Sequence, residues 1–347
     1  MSPGLLKVVE RAKMEPEGRF HSLAHLIDVP ALMRAYRRMR KDAAVGVDGV
    51  TKEKYGQNLE DNLRDLHARM VSKQYRHQPI RRVHIPKDKG KTRPIGISAF
   101  EDKLVQDAVR EVLEAIYEQD FLDCSRGFRP KRSAHDAIRA LDRIAHRGKA
   151  SWILEADVVS FFDSLDRTKL QEMLQLRVAD GSLLRLIGKC LHVGVLDGAE
   201  HSAPDTGTAQ GSVLSPMLGN VYLHYVLDLW FEREVKPRLR GEAHLVRYAD
   251  DFVMTFELQD DAERVMDMLG KRMGRFGLTL HPDKTRLRPS GDRRRDSPCC
   301  CSRQRPASPP AGRWWRAVPG GKSRGQERRC ANPCLLANRP HKTRLSS

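Results

Sequence analysis

The sequence predicts an α+β fold in which an antiparallel sheet bears acidic residues and helices pack behind it. Three observations predict it. Leu245 to Phe256 (LVRY-ADD-FVMTF) sets two apolar runs around a polar, acidic turn, the pattern of a β-hairpin. Trp152 to Val158 (WILEADV) is rich in strand formers and ends in an acid. From Leu104, the apolar residues Leu104, Val105, Ala108, Val109, Val112, Leu113, Ile116 and Tyr117 recur at i, i+3, i+4, so a helix buries one face there.

The remaining elements follow in chain order. Pro30 to Arg40 is basic and weakly helical, the turn-rich VGVDGVT (Val45 to Thr51) breaks it, and a helix-like stretch covers Leu59 to Met70. Arg81 to Pro86 and Arg93 to Ile97 read as two short strands joined by KDKGKT, a hairpin with a cationic tip. Ser133, with Asp136 three residues on, makes a capping box for a helix that Gly148 follows. Asp166 is an N-cap for a helix from about Thr168, and Ser215-Pro216 supplies N-cap and N1 for another running through Tyr222 and Tyr225 to Trp230. An amphipathic helix with Val265, Met268, Leu269 and Phe276 ends at Gly277, and Leu278 to Leu280 resumes extended structure.

The chain has 347 residues, a formal charge of +17 and a sizeable apolar fraction. Its charge is unevenly spread. The last 62 residues hold 16 Lys+Arg against 3 Asp+Glu, which accounts for +13, so net charge says little about the folded part. Local charge says more: Lys73, Arg76, Arg81, Arg82, Lys87, Lys89, Lys91 and Arg93 face the single acid Asp88 in one stretch, either a phosphate-binding patch or a solvated run. The N-terminus lacks the apolar core of a signal peptide, and no run approaches the roughly 18 apolar residues that span a bilayer, so the expectation is a cytoplasmic protein without membrane contact. Cys124 and Cys190 are the only cysteines before residue 286, which suits buried packing in a reducing compartment.

Acids at the end of one strand and in a neighbouring hairpin turn suit a specific chemistry. Nucleotidyl transfer needs a hydroxyl made nucleophilic and a phosphate whose charge is neutralised, which two Mg²⁺ roughly 4 Å apart achieve. Mg²⁺ takes oxygen ligands, and rigid strands hold them at fixed separation. Asp157 ends one such strand, and Asp250-Asp251 fill the turn of YADD. Taken singly, Asp157 reads equally as a cap and Asp250-Asp251 as a solvated tip.

Six blocks in order, AVGVDGVT, IPKDKGKTRPIGI, DVVSFFDSLD, GTAQGSVLSPMLGNVYL, RYADDFVM and GLTLHPDKT, resemble those of bacterial group II intron reverse transcriptases over about residues 30–285. The resemblance implies a right-hand polymerase. Residues 1–72 would be an N-terminal extension and 73–285 the fingers and palm. It makes Asp157, Asp250 and Asp251 the catalytic metal ligands for two Mg²⁺, joined by the carbonyl of Val158. Phe162 would sit under the incoming sugar, Gln210 and Gly211 would touch template and nucleotide, and Lys87 and Arg93 would meet the triphosphate. Lys284 matches a lysine that assists pyrophosphate departure. Ordinary alternatives stand beside these: a core aromatic at Phe162, surface lysines at Lys87 and Lys284. Gly46, Asp48 and Gly49 are read as a structural turn. The implied partners are intron RNA as template, a DNA primer and dNTPs. Oligomeric state stays open.

Residues 286–347 change character, with no Ile, Phe, Tyr or Met, and are expected to be a disordered basic tail, read out of frame, that replaces a thumb and maturase region. Cys299-Cys300-Cys301, Cys330 and Cys334 fit structural zinc poorly. The rival to an RNA-directed DNA polymerase is a non-catalytic intron-RNA-binding splicing factor, or an inactive remnant.

Overall fold

Four helices form the N-terminal segment: α1 (Pro3–Met14), α2 (Val29–Arg38), α3 (Lys52–Gly56) and α4 (Leu59–Val71). Asp28 and Thr51 cap α2 and α3, accepting the N–H groups of Ala31 at 2.8 Å and Lys54 at 3.2 Å, which would otherwise lack partners. The computed structural model describes residues 1–86, 92–147, 149–197, 200–202, 206–208 and 211–290. Lys87 and the rest of the hairpin tip to residue 91, Gly148, Gln210 and the tail from residue 291 lie outside the described residues.

The central helix is α5 (Phe100–Asp120), and Leu104, Val105, Val109, Val112, Leu113 and Ile116 on it are all buried. It begins four residues before the apolar periodicity does. The cause is remote: Asp48, on the VGVDGVT turn, accepts the Phe100 N–H at 3.2 Å and so caps α5 from outside it. A Cβ on Gly46 would come within 2.5 Å of Ala99, which fixes the turn against the helix start.

One sheet contains β1 (Ile80–Pro86) and β2 (Thr92–Ile97), antiparallel from Arg81↔Ile97 to Pro86↔Thr92, then β4 (Val195–Asp197) parallel to β1 and β5 (Glu200–Ser202), in the order β2-β1-β4-β5. The other has the order β6-β7-β3-β8 and is antiparallel throughout: β3 (Trp152–Ala156), β6 (Ala243–Tyr248), β7 (Asp251–Phe256) and β8 (Arg286–Pro289). Phe252, Met254 and Phe256 alternate along β7 into the core with Leu154 and Ala156 of β3. Between these strands lie α6 (Ala134–Arg147), α7 (Phe161–Ser164), α8 (Arg167–Gln175), α9 (Gly181–Leu191), α10 (Ser215–Leu223) and α11 (Gln259–Arg275), the last burying Val265, Leu269 and Met273. The molecule is therefore α+β, with the second sheet antiparallel as predicted.

Four local expectations change. Ordered structure continues past Thr285, because β8 pairs with β3 from Glu155↔Arg286 to Trp152↔Pro289 and Arg288 meets Glu155 at 2.6 Å. Backbone pairing and an ion pair hold this strand, so composition did not betray it. Leu214, and not Ser215, is the cap residue of α10. The turn of the hairpin is Ala249-Asp250, with Asp251 already the first residue of β7. Beyond α10 the winding widens to π-helix over His224–Asp228 and Trp230–Val235.

Only the carboxylate half of the expected capping box forms at α6, where Asp136 Oδ2 accepts both the Ser133 N–H (2.8 Å) and the Ser133 hydroxyl (2.7 Å) while the Asp136 N–H goes to the Ser133 carbonyl; Asp166 caps α8 through the Lys169 N–H. Cys124 and Cys190 are free thiols, and burial raises the pKa of both. No described helix is long and apolar enough to cross a membrane.

Candidate active site

The hairpin turn that carries Asp250 is held under strain. Ala249 has φ +59°, a left-handed conformation that costs a residue with a Cβ about 1–2 kcal/mol, so the surroundings must enforce it. Arg247 does much of this. Its guanidinium is fully buried and uses all five donors: Nε to Asp228 Oδ1 (2.8 Å), Nη1 to Asn220 Oδ1 and to the carbonyl of Ala249 (both 2.9 Å), and Nη2 to Asp228 Oδ2 (2.6 Å) and Ser125 Oγ (2.7 Å). Burial opposes the charge, but Asp228 outweighs it and raises the Arg247 pKa. A buried ion pair adds little net stability even when complete, so what this one contributes is position. Asp228 is the last residue of the first π-helical stretch.

Gly127 closes on the same turn. A Cβ there would lie 2.2 Å from the Ala249 nitrogen, and the Asn220 amide donates to the Gly127 carbonyl at 2.8 Å. Gly127→Ala is therefore expected to destabilise the fold by about 1–3 kcal/mol, the usual cost of overpacking, and to displace the turn. Urea denaturation measures the first effect.

His224, at the start of the π-helical stretch, is 3% exposed, and burial depresses its pKa to about 4 although Asp228 pulls the other way. Because the folded-state value lies below the ordinary value near 6.5, the unfolded chain takes up a proton first as pH falls. The stabilisation is complete above about pH 6.5 and is lost between there and pH 4, roughly 3 kcal/mol in all. Urea midpoints at pH 7.5 and pH 5 should diverge in the native chain and converge in His224→Leu.

Asp157 follows directly on β3 and is 5% exposed. Its carbonyl accepts the His281 N–H at 2.8 Å, Val158 bridges to Leu280, and the Lys284 ammonium meets Asp157 Oδ2 at 2.5 Å. Continuing the β3–β7 register by one step beyond Ala156↔Phe252 sets Asp157 opposite Asp251. Thus Asp157, Asp250 and Asp251 occupy the same end of two adjacent strands, with Lys284 against the first of them.

The first sheet comes near α7 through Arg82 of β1 and Arg93 of β2. Burial holds the Asp163 carboxyl above its ordinary value, against Arg82 and Arg93, which pull it down. Gly211, at φ +104°, lies against β2: a Cβ would meet Ile95 at 2.6 Å and the Gly96 carbonyl at 2.7 Å. The loop after it is tied to α5 by buried Gln106, whose Oε1 accepts from Ser212 Oγ (3.1 Å) and the Val213 N–H (3.2 Å). Phe162 is half-buried, its carbonyl accepts the Thr208 N–H at 2.7 Å, and its ring lies edge-on to Phe161 at 5.1 Å.

Hard oxygen donors at the ends of β3 and β7 suit Mg²⁺, which commonly takes only one or two carboxylates and completes its shell with water and phosphate. Among the described residues no three His, Cys, Asp or Glu side chains converge as a metal cage. The donor set fits an ion shared with a phosphate-bearing substrate rather than a closed structural site.

The sequence profile of the family described as "Reverse transcriptase (RNA-dependent DNA polymerase)" matches residues 85–294. The chain is 33% identical over 318 residues to "Protein YkfC" of Escherichia coli K12, covering 81% of this chain and 83% of that protein. It is 34% identical over 247 residues to "Group II intron-encoded protein LtrA" of Lactococcus lactis, covering 69% of this chain and 39% of that protein. This chain belongs to the group II intron reverse transcriptase family. A "Putative COX1/OXI3 intron 1 protein" of Saccharomyces cerevisiae is 26% identical over 313 residues, 76% of this chain and 37% of that one. The chain thus spans most of the E. coli relative and about two fifths of the intron-encoded ones.

The structure brings together Asp157, Val158, Asp250, Asp251 and Lys284 at one sheet end. Phe162 lies in α7, Arg93 of β2 acts on Asp163 of the same helix, and Gly211 lies against β2. Sequence reading missed Arg247, Asp228, Asn220, Ser125, Gly127 and Gln106. The local signal for Arg247 was a charged residue in the buried register of a strand, between Val246 and the acid turn.

Proposed function

We propose that this chain is an RNA-directed DNA polymerase that extends a DNA primer on an intron RNA template from dNTPs, in the cytoplasm. The observation that carries this reading is the placement of acids from two neighbouring strands at one sheet end, in a member of this family. Asp157 and Asp250 would hold two Mg²⁺, with the Val158 carbonyl and, more peripherally, Asp251 as further oxygen donors. When bound there, the ions supply charge neutralisation at the transferred phosphate and a more acidic primer hydroxyl.

The other roles belong to the chain itself. Arg93 presents a guanidinium that binds triphosphate oxygens in bidentate fashion, with Lys87 as a second cation on the same hairpin. Gly211 lets backbone approach the template and nucleotide where a side chain would collide, and Gln210 contacts the same pair. Phe162 lies where a ribose 2′-hydroxyl would clash. Lys284, beside Asp157, holds a proton for the departing pyrophosphate. In this right-hand arrangement the first sheet serves as fingers and the second as palm.

Extension of oligo(dT) on poly(rA) tests the reading, with Asp157→Asn beside the native chain. Extension that needs Asp157 supports it. Binding of RNA without extension, or extension unaffected by Asp157→Asn, rejects the catalytic assignment and leaves the splicing-factor alternative.

A further inference from the structure

The loop Arg126–Arg132 runs directly past the hairpin turn and contains a feature that the fold does not explain. Phe128 has φ +56°, and its side chain is 55% exposed. A bulky residue in the left-handed region is strained, and here no burial of the ring within the chain offsets the strain. Its neighbour Gly127 is the residue whose Cβ would strike the Ala249 nitrogen, and Arg126 donates its N–H to the Arg247 carbonyl at 2.9 Å. Phe128 is thus exposed one residue along the chain from the glycine that packs on the turn carrying Asp250.

The loop that carries the ring is rich in cations. Burial lowers the Arg126 pKa, with repulsion from Arg132 and Arg143 partly offset by Asp123 and Asp136, and its half-buried guanidinium keeps a buried Nε without a hydrogen-bond partner in the described structure. Lys131 is exposed and also left-handed, at φ +58°. Asp123 engages Arg132 at 2.7 Å and leaves the loop net positive. Arg129 is excluded from any ligand, because Glu118 and the carbonyls of Leu122 and Ser125 take up its donors. An exposed aromatic on a loop that also carries cations is the chemistry that holds a single nucleic-acid strand, with a base stacked on the ring and phosphates on the cations.

We propose that Phe128 is a stacking platform for the nucleic-acid strand at the catalytic turn, flanked by Arg126 and Lys131 as phosphate contacts. The proposal rests on the polymerase reading of that turn. It explains why a strained phenylalanine occupies a position where glycine would relax the backbone: the ring is retained for a ligand.

The test is titration of the full chain into a fluorescein-labelled RNA–DNA primer–template, without dNTPs, at 150 and 400 mM KCl, values of about one and three times physiological strength that screen the basic tail progressively. Phe128→Gly should bind about 5- to 100-fold more weakly at both salts, the range seen when a stacked aromatic is removed, with Tm equal to or above that of the native chain. Phe128→Trp should restore affinity. Arg126→Gln should instead reduce the salt slope by about one. Binding by Phe128→Gly within about twofold of native, or a fall in Tm on that substitution, overturns the proposal while leaving the polymerase reading intact. Failure of the native chain to bind the primer–template overturns both.

Discussion

Asp250→Asn is expected to slow primer extension about a thousandfold, roughly 4 kcal/mol of transition-state stabilisation, while Tm and primer–template affinity stay near native. The carboxamide keeps the shape of the side chain but loses its charge and one of its two acceptor oxygens. Asp250 lies in the turn and not within a strand, so no ladder hydrogen bond depends on it. Asp251, which opens β7 opposite Tyr248, should show a smaller loss when changed to Asn. Single-turnover extension rates at saturating dNTP measure both. Equal losses at the two positions would mean that the acids act as one charged patch, and the assigned roles would fail.

Arg247→Met should cost about 3–5 kcal/mol of stability, because Asp228 is left charged and buried without its partner. The informative variant is the double one. Arg247→Met with Asp228→Leu removes both charges and should recover most of the lost stability, since apolar replacements of buried pairs are often near neutral. Extension should not recover with it. The carbonyl of Ala249 and the amide of Asn220 lose their common donor, the left-handed turn relaxes, and displacement of a catalytic group by about 1 Å can cost a hundredfold in rate. Stability and activity therefore separate in the double variant. If both return together, Arg247 is only a packing element and has no part in positioning Asp250.

What could be read from the sequence was what is encoded locally. β3, β6 and β7 announce themselves by apolar runs that stop at acids, and α5 and α11 by periodicity, so the sheet bearing the acids and the helices behind it were legible. The interactions that aim the acids were not. Arg247 takes Ser125 from 122 residues upstream and Asp228 from 19 residues upstream, the latter at the end of a π-helical stretch that no propensity specifies. The start of α5 depends on Asp48, 52 residues before Phe100. β4 and β5 have only three residues each and exist because β1 offers an edge, while β8 is an Arg-rich segment recruited by the edge of β3. Such elements are fixed by backbone pairing with distant partners, and their own side chains carry little pattern.

Ferrous iron offers the most direct measurement. Fe²⁺ takes the oxygen sites of Mg²⁺, and in the presence of ascorbate and peroxide it cleaves the polypeptide beside the ion. With primer–template and a non-extendable nucleotide bound, cleavage should fall within a few residues of both Asp157 and Asp250, disappear with excess Mg²⁺, and weaken at both places together in Asp250→Asn. Cleavage near only one of the two acids, or at neither, would contradict a metal centre shared between the ends of β3 and β7.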